Sequence, residues 1–402
     1  MTLAKTATTA EGPVPTHDEL VARARAMIPA LKARAVGGAQ DRQIQPETVA
    51  EMQAAGLFRV LQPKRWGGYE MRPETFYEII ATLAEGDMSA AWIYGVIGVH
   101  PWQLATFEDR AAEEVWGEDE SVLIASSYMP TGRLTPCEGG WRLSGRWGYS
   151  SGSEHCRWTF LTAVPVGPDG PDFEAAGTVL VPRSDYTLID TWDTPGLRGT
   201  GSNDLVIEDA FVPYYRFVTK GASFTRHLPG RKVNTSPLYA LPFGQVFTRA
   251  VSTAPIGALQ AMIDMMIETS KTRVSVFGTA TKFDPVVAQA LAEAQNEVDT
   301  LKLVMKRNGD ALWHYAERDE DPPMELRSQF RFQASLPPER ATLMALRLFK
   351  AAGGAAVYNK NGYGQILADI LTGRQHAANQ FELFARNWGS VLMGQENTDT
   401  FL

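Results

Sequence analysis

The order in which hydrophobic patterns follow one another is the feature that most restricts the fold of this chain. Residues 17–121 carry helical periodicity, and the stretch 88–105 is apolar nearly all round, as in a buried helix. Residues 121–213 instead hold short β-type runs separated by Gly, Pro and Asp clusters, and from about residue 235 the pattern is helical again. We therefore predict an α+β protein with an N-terminal helical domain (16–120), a central antiparallel β domain (121–232) and a C-terminal four-helix bundle (233–402).

Helix-terminal signals support the two helical regions. Pro46 stands where a first helical residue is expected, and Gly56 is a C-terminal stop signal. Asp284 followed by Pro285 is typical of an N-cap with proline in the first turn. Downstream, apolar residues recur at alternating spacings of four and three: Val287, Leu291, Ala294, Val298, Leu301 and Met305. This seam predicts an internal or intersubunit helical bundle.

Composition excludes several classes of function. The chain has 402 residues and a net charge of −8, so we expect no nucleic-acid binding, which needs a basic surface. No apolar run approaches membrane-spanning length, so we expect no membrane association. Cys137 and Cys156 are expected to be free thiols. The N-terminus lacks the apolar core of a signal peptide, which favours the cytoplasm, and residues 1–15 are expected to form a mobile tail.

Motifs for metals and nucleotides are missing from the sequence. The six histidines show no His-x-x-x-His spacing and no neighbouring cysteine cluster, so no metal is expected. There is no Walker loop and no Gly-x-Ser-x-Gly elbow. The run Gly199-Thr-Gly-Ser lacks the strand–turn–helix context of a Rossmann fingerprint.

Two glycine-rich stretches hold residue types that suit a flat polar cofactor. The stretch 143–158 places serines, glycines and a histidine among aromatic residues. Glycines let a backbone approach a flat ligand closely, and hydroxyls can hydrogen-bond to a ring nitrogen. The stretch 194–204 offers backbone amides and the hydroxyls of Thr200 and Ser202. Taken alone, each stretch is also typical of a turn between strands.

Two histidines are candidates for chemistry. His100 precedes Pro101, which disfavours the helical conformation before it, so the ring is expected near a helix end, where it can line a pocket. An imidazole with a pKa near neutrality, such as that of His376, is a natural base for a phenol. For either histidine considered alone, a capping or core role is the more common outcome.

Several motifs, taken in order, carry a family resemblance: Leu61-Gln-Pro-Lys-Arg-Trp-Gly-Gly, Val99-His-Pro-Trp, Val115-Trp-Gly-Glu, Ser126-Ser-Tyr, Tyr149-Ser-Ser-Gly-Ser-Glu-His, Gly196-Leu-Arg-Gly-Thr-Gly-Ser-Asn, Phe211-Val-Pro and Gly373-Arg-Gln-His-Ala-Ala-Asn. From about residue 18 to 395 the sequence resembles the oxygenase components of two-component, reduced-flavin-dependent monooxygenases, which have the acyl-CoA dehydrogenase fold. It resembles most the oxygenases of the 3-hydroxy-9,10-secoandrostatriene-dione 4-monooxygenase type and, more loosely, the 4-hydroxyphenylacetate 3-hydroxylase type.

The resemblance implies a defined chemistry. A separate flavin reductase supplies reduced FMN or FAD as a diffusible co-substrate, and the oxygenase adds O2 to give a C4a-hydroperoxyflavin. The distal oxygen then goes to the ring carbon ortho to the phenolate of a small aromatic substrate. Water must be excluded, and the flavin N5 hydrogen needs a hydrogen-bond partner. The resemblance also implies a homotetramer.

Residue roles carry over by similarity to the matching positions. Ser151 matches the serine that faces flavin N5, His376 the C-terminal histidine proposed as the phenol base, and His100 a histidine facing the phenol or peroxide. The substrate contacts implied in this way are His100, Trp102, Trp147 and Tyr149. The flavin contacts implied in this way are Ser126, Ser127, Ser150, Ser151, Gly152, Arg198, Thr200 and Ser202.

The chain departs from the family in one helix and leaves other functions open. Two arginines usual in the C-terminal helix are replaced by Gln365 and Ala368, so a steroid-type substrate and a flavin-tail contact are not carried over.

An acyl-CoA dehydrogenase is one alternative function; it needs a carboxylate base, and Glu382 is the only acidic residue close after His376. A non-catalytic flavin-binding module, or the same mechanism on an indole or a heteroatom, are the others.

Overall fold

The described part of the chain comprises residues 13–223, 228–274, 278, 280–400 and 402 of a computed structural model. Residues 1–12, most of the predicted mobile tail, lie outside this part. Residues 13–16 precede the first helix without regular structure. The predicted domain limits at residues 15, 120 and 232 stay predictions.

The N-terminal region consists of helices α1 (His17–Asp41), α2 (Pro46–Ala54), α3 (Pro73–Ala84), α4 (Met88–Gly98), α5 (His100–Leu104) and α6 (Asp109–Trp116). Thr16 caps α1 in a capping box with Glu19, and Pro46 opens α2 as predicted. Helix α4 is buried along its whole length, which its uniform apolarity predicts. It contacts both the sheet and the C-terminal helices. Helix α4 therefore packs between the sheet and the C-terminal helices.

The central region is one sheet with strand order β6-β7-β2-β1-β3-β5-β8 and β4 paired to β3. Its strands are β1 (Ile124–Cys137), β2 (Gly140–Ser150), β3 (Trp158–Gly167), β4 (Gly170–Pro171), β5 (Gly177–Pro182), β6 (Thr187–Ile189), β7 (Asn203–Pro213) and β8 (Phe217–Thr219). Pairing is antiparallel as predicted, except that the described strands β1 and β3 run parallel. The loop after β2 returns the chain in the direction of β1 and so makes this central pair parallel.

The C-terminal region is helical, as predicted. Its helices are α7 (Lys220–Ser223), α8 (Phe243–Ser252), α9 (Ala254–Thr272), α10 (Pro285–Glu317), α11 (Met324–Ser335), α12 (Pro337–Ala352), α13 (Tyr363–Arg374) and α14 (Phe381–Leu392). The Asp284 side chain accepts the Val286 N–H and caps α10. The predicted seam lies along α10, where Val287, Ala294 and Val298 are buried and the helix packs against α9 and α12.

Helices α8 and α9 correct one prediction about membranes. Together they form a segment of 30 residues, Phe243–Thr272, that is long and apolar enough to span a membrane by length and composition. The prediction that no apolar run approaches this length is therefore wrong. Of the most apolar window in this segment, 78% is buried inside the fold, which is typical of core helices.

Candidate functional site

A row of aromatic rings joins His100 to His376. The His100 ring, at the start of α5, has its centroid 6.4 Å from that of Tyr128 on β1. Tyr128 lies 5.0 Å from Phe247 on α8, and Phe247 lies 6.3 Å from His376, just after α13. Phe243 stacks on Phe247 at 5.2 Å. Tyr128, Phe243 and His376 are only partly buried, so the row forms a wall that a flat apolar ligand can reach.

The two ring nitrogens of buried His100 have different surroundings. Nδ1 lies 3.2 Å from Gln103 Oε1, which also accepts the Tyr128 hydroxyl at 2.5 Å. An amide oxygen only accepts, so Nδ1 carries the proton and Nε2 keeps a lone pair. Among the described residues, buried Nε2 has no hydrogen-bond partner. Burial lowers the pKa of His100 to about 3, so the ring is neutral at neutral pH.

His376 shows the opposite arrangement. Its Nδ1 accepts the Ala378 N–H at 3.1 Å, where the side chain caps a short 3-10 turn. In the neutral ring the proton therefore sits on Nε2, which can donate. Burial, and then the nearby Arg331, lower the pKa of His376 to about 4. Trp92 of α4 contacts the ring edge-on at 5.9 Å.

Ser126 and Ser127 point to opposite sides of β1, because side chains alternate along a strand. Ser127 is buried and donates to the Gly148 carbonyl of β2 at 2.7 Å. Its hydroxyl hydrogen is used inside the sheet, and the flavin contact of Ser127 stays a prediction. Ser126 is partly buried and lies on the same side of β1 as Tyr128 of the aromatic row, because the two are two residues apart on one strand. Its flavin contact stays a prediction.

Three hydroxyls form a chain between the loop after β2 and the second glycine-rich stretch. Ser151 Oγ lies 2.7 Å from Ser202 Oγ, and Ser202 Oγ lies 2.6 Å from Thr200 Oγ1. Thr200 Oγ1 donates to the Leu197 carbonyl at 2.8 Å. Thr200 and Ser202 are buried, whereas Ser151 is partly exposed. Ser151 is therefore the most accessible member of this chain, and the flavin contacts predicted for Thr200 and Ser202 stay predictions.

The backbone beside Ser151 is fixed by close packing against α4. Gly152 has a φ of 67°, and a Cβ there would lie 2.9 Å from Ile97 and 3.0 Å from Ile93 of α4. Glycine is required at this position by both its conformation and its packing. Among the described residues, the buried Ser150 hydroxyl has no hydrogen-bond partner. Ser150 Oγ and the free side of Ser151 are thus polar groups that fit a flavin ring.

The second glycine-rich stretch is anchored on α13 by a buried carboxylate. Asp369 Oδ1 accepts the Leu197 N–H at 2.6 Å and Gln365 Nε2 at 2.8 Å. Burial raises the pKa of Asp369 to about 7, although the bond from Leu197 opposes this shift. Gly196 packs against Ala368, where a Cβ would lie 2.1 Å from the carbonyl oxygen. Of the two positions that lack the family's arginines, Ala368 packs directly against this loop, whereas Gln365 hydrogen-bonds to the Asp369 carboxylate that anchors it.

Two predicted substrate contacts lie away from the aromatic row. Trp147 is fully buried in a core made by strand residues, and its indole N–H donates to the Thr162 carbonyl at 2.7 Å. It lies on the sheet face opposite Phe160, the residue that contacts His100. Tyr149 is 67% exposed and contacts Trp192 instead. Strand alternation turns Trp147 into the sheet core, which corrects its prediction as a pocket wall. Tyr149 lies on the surface, and its ligand contact stays a prediction.

Arg198 and Trp102 contact protein groups rather than open space. The Arg198 guanidinium donates to the carbonyls of Ala39 and Thr194 and pairs with Asp193, and its flavin role stays a prediction. Trp102 is buried, donates to the Leu238 carbonyl at 2.9 Å and lies 6.0 Å from Phe243. Trp102 therefore packs against Phe243 on the buried side of the aromatic row.

Sequence reasoning missed Phe243, Phe247, Trp92 and Gln103 as site residues. Phe243 and Phe247 are four residues apart on α8 and so share one helical face. Gln103 follows His100 by three residues and lies on the same side of α5. These spacings were available in the sequence, but the same spacings are typical of ordinary core packing.

Comparisons with known proteins agree with the fold. Residues 250–381 match the family model described as acyl-CoA dehydrogenase, C-terminal domain. The flavin-dependent monooxygenase oxygenase subunit HsaA from Rhodococcus jostii is 34% identical over 382 residues, covering 94% of this chain and 100% of that protein. The crystal structure of 3-HSA hydroxylase from Rhodococcus sp. RHA1 matches with a TM-score of 0.92 at 34% identity, covering 96% of this chain and 100% of that one.

A more distant solved structure shares the fold. XiaF from Streptomyces sp., in complex with FADH2 and glycerol, has a TM-score of 0.90 at 24% identity and covers 96% of this chain and 98% of that one. The fold and the relatives define a flavin-dependent monooxygenase that uses reduced flavin and acts on aromatic substrates. The chain belongs to the family of oxygenase subunits of two-component flavin-dependent monooxygenases, which work with a partner flavin reductase. The resemblance found in the sequence is thereby confirmed.

Proposed function

We propose that this enzyme hydroxylates a small phenol at the carbon ortho to the hydroxyl, with His100 accepting the phenol proton. The supporting observation is the buried, unpartnered Nε2 of His100 beside the aromatic row. A phenol hydroxyl satisfies this lone pair. The pKa of about 3 belongs to the site without a phenol, and a phenolate beside Nε2 would raise it, because an adjacent negative charge stabilises the imidazolium that takes the proton. The reduced flavin, when bound, would supply the two electrons that activate O2, so that one oxygen atom of O2 enters the phenol and the other leaves as water.

We assign His376 the role of hydrogen-bond donor, whereas the resemblance implies that it is the phenol base. Its Nδ1 is used by Ala378, so the free Nε2 of the neutral ring carries a hydrogen and has no lone pair for a proton. It can donate a hydrogen bond to an anionic or carbonyl oxygen in the same space. We therefore assign the acceptor role to His100 and a donor role to His376.

The remaining residues hold the flavin and keep water out. Ser151 accepts from the flavin N5–H, and Ser150 and Ser126 offer further hydroxyls. Phe243 and Phe247 stack beside Tyr128 and exclude water from the reacting ring. Both FMN and FAD fit this scheme, because both carry the isoalloxazine ring that the groups named here would contact.

The test is oxygen incorporation with a panel of phenols. The purified chain, a flavin reductase, NADH and either FMN or FAD are incubated under ¹⁸O2. We expect one ¹⁸O atom in a catechol product for at least one phenol. Hydrogen peroxide without hydroxylated product across the whole panel would overturn the proposal. Indole is included as a separate arm, because an indole N–H also satisfies the His100 acceptor.

An acyl-CoA dehydrogenase reaction is disfavoured by the position of Glu382. That reaction needs a carboxylate base over the flavin. The Glu382 side chain is 56% exposed and pairs with Arg374 at 3.3 Å on the surface. A test with acyl-CoA substrates and an electron acceptor should therefore show no turnover.

We also propose a homotetramer. Apolar side chains remain exposed on the helical region, and they include Leu343 and Leu346 on α12 and Leu392 and Met393 at the end of α14. Exposed apolar patches of this kind are typical of subunit interfaces. Light scattering at micromolar concentration should give four times the mass of 44.2 kDa, and a stable monomer would contradict the proposal.

A further inference from the structure

The three contacts of the Ser151, Ser202 and Thr200 hydroxyls can all be hydrogen bonds at once in only one set of hydrogen positions. Thr200 Oγ1 lies 2.8 Å from the Leu197 carbonyl oxygen, which can only accept, so Thr200 donates there. A hydroxyl has one hydrogen, so Ser202 must donate to Thr200 across their 2.6 Å contact. By the same rule Ser151 donates to Ser202 across 2.7 Å. The Ser151 hydrogen is thereby used, and only its lone pairs remain for a ligand.

The Leu197 peptide that sets this order is held from both sides. Its N–H donates to Asp369 Oδ1 at 2.6 Å, and its carbonyl also accepts the Trp192 indole N–H at 2.8 Å. Leu197 has a φ of 50°, a left-handed conformation that a residue with a Cβ adopts only when its surroundings fix it. The carbonyl is therefore a fixed acceptor at the buried end of the chain of hydroxyls.

We propose that Thr200 and Ser202 are positioning residues that hold the Ser151 hydroxyl as an acceptor towards the N5–H of reduced flavin. This inference rests on the proposed function, in which Ser151 faces flavin N5. Reduced flavin carries a hydrogen on N5 and donates, whereas N5 of oxidised flavin has a lone pair and needs a donor. A Ser151 that can only accept bonds with the reduced form and opposes the oxidised form. The chain of hydroxyls thus makes the site select the reduced flavin and release the oxidised one.

The test is the ratio of the dissociation constants for oxidised and reduced flavin. It is measured by anaerobic titration without substrate, using whichever of FMN and FAD binds more tightly when reduced. Thr200→Val removes the hydroxyl at nearly constant shape, so Ser202 and then Ser151 can turn and donate to oxidised flavin. We expect the oxidised-to-reduced ratio to fall roughly three- to tenfold, the worth of about one hydrogen bond.

Matched variants separate the proposal from a general loss of structure. Thr200→Ser keeps a hydroxyl at the same position and should keep the wild-type ratio. Ser202→Ala interrupts the chain at its middle and should lower the ratio as Thr200→Val does. Ser202→Ala also carries the test if Thr200→Val fails to fold. A thermal unfolding midpoint measured without flavin shows that each variant is folded.

The contradicting outcomes also separate this proposal from the proposed function. If Ser151→Ala lowers the ratio but Thr200→Val and Ser202→Ala do not, the positioning role is refuted and the flavin contact of Ser151 stands. If Ser151→Ala leaves the ratio unchanged as well, Ser151 does not face N5, and the positioning role fails together with that contact. A ratio that falls equally in Thr200→Ser and Thr200→Val also overturns the proposal, because the hydroxyl is then not the cause.

Discussion

His100 and His376 lie at opposite ends of one aromatic row and present opposite hydrogen-bonding faces. His100 is held by an amide oxygen, which keeps the proton on Nδ1 and leaves Nε2 as an acceptor. His376 is held by a backbone N–H, which leaves the proton on Nε2 as a donor. Burial lowers the pKa of both rings, so both are neutral at pH 7. The partner of one ring nitrogen, and not the residue type, therefore decides what the other nitrogen can do.

The largest effect is expected for His100→Ala. Loss of a positioned proton acceptor should slow phenol hydroxylation by roughly 10²-fold or more at pH 7. The deficit should shrink at high pH, where the phenol ionises without help. Single-turnover product formation across pH 6 to 10 measures this, with exposed His314→Ala as a control that keeps wild-type rates. A deficit that stays constant with pH would show that His100 is not the proton acceptor.

His376→Ala should have a smaller effect of a different kind. Removing a donor to an anionic oxygen should weaken productive binding, raising KM by about tenfold, the worth of one charge-assisted hydrogen bond. High pH should give no recovery, because a phenolate still needs the donor. His376→Gln keeps an N–H donor and is the matched variant, which should retain part of the affinity. If the hydroxylation activity of His376→Ala recovers at high pH, His376 is the phenol base, and the proposed difference between His100 and His376 is wrong.

Gln103→Leu tests what fixes the His100 tautomer. Without the amide oxygen, Nδ1 loses its acceptor, and either nitrogen of His100 can carry the proton. We expect hydroxylation to fall roughly three- to tenfold, consistent with one lost hydrogen bond. Tyr128→Phe is the matched control, since it removes the other donor to Gln103 and leaves the partner of His100 in place. Equal losses in the two variants would assign the effect to the pocket wall instead.

The smallest effect is expected in the pH dependence of stability. The folded-state pKa is about 3 for His100 and about 4 for His376, both below the ordinary histidine value of 6.5. The unfolded chain then binds protons that the folded chain does not, so the stability that goes with the neutral rings is full above about pH 6.5 and is lost as pH falls. His100→Gln and His376→Gln should each reduce the loss of unfolding free energy between pH 7 and pH 5 in urea titrations. An unchanged slope in both variants would show that neither ring is held neutral.

Much of the fold follows from local patterns. The N-cap at Asp284, the helix start at Pro46 and the seam along α10 are set by neighbours within a few residues, and all three are confirmed. Cys137 and Cys156 are free thiols, as predicted. The parallel pairing of β1 with β3 was missed, because strand pairing depends on the path of a connecting loop and leaves no periodicity in the sequence.

The site could be predicted only in part. His100, Ser151 and His376 were chosen from motifs, and the structure places each of them where it is partly exposed or lacks a partner on one nitrogen. Trp147, Tyr149 and Arg198 were chosen from the same motifs and turn out to face the sheet core, the surface and neighbouring backbone carbonyls. Motif membership gives the neighbourhood of a side chain along the chain, but not the direction in which it points.

The sequence by itself determined the order of helices and strands, the family and the residue types available for chemistry. Only the tertiary structure decided that His100 accepts, that His376 donates and that Ser151 has lone pairs to offer. The physical reason is that a proton's position on an imidazole or a hydroxyl depends on its hydrogen-bond partners. These partners come from Gln103, from the Ala378 backbone and from a carbonyl at Leu197, 46 positions after Ser151 in the chain.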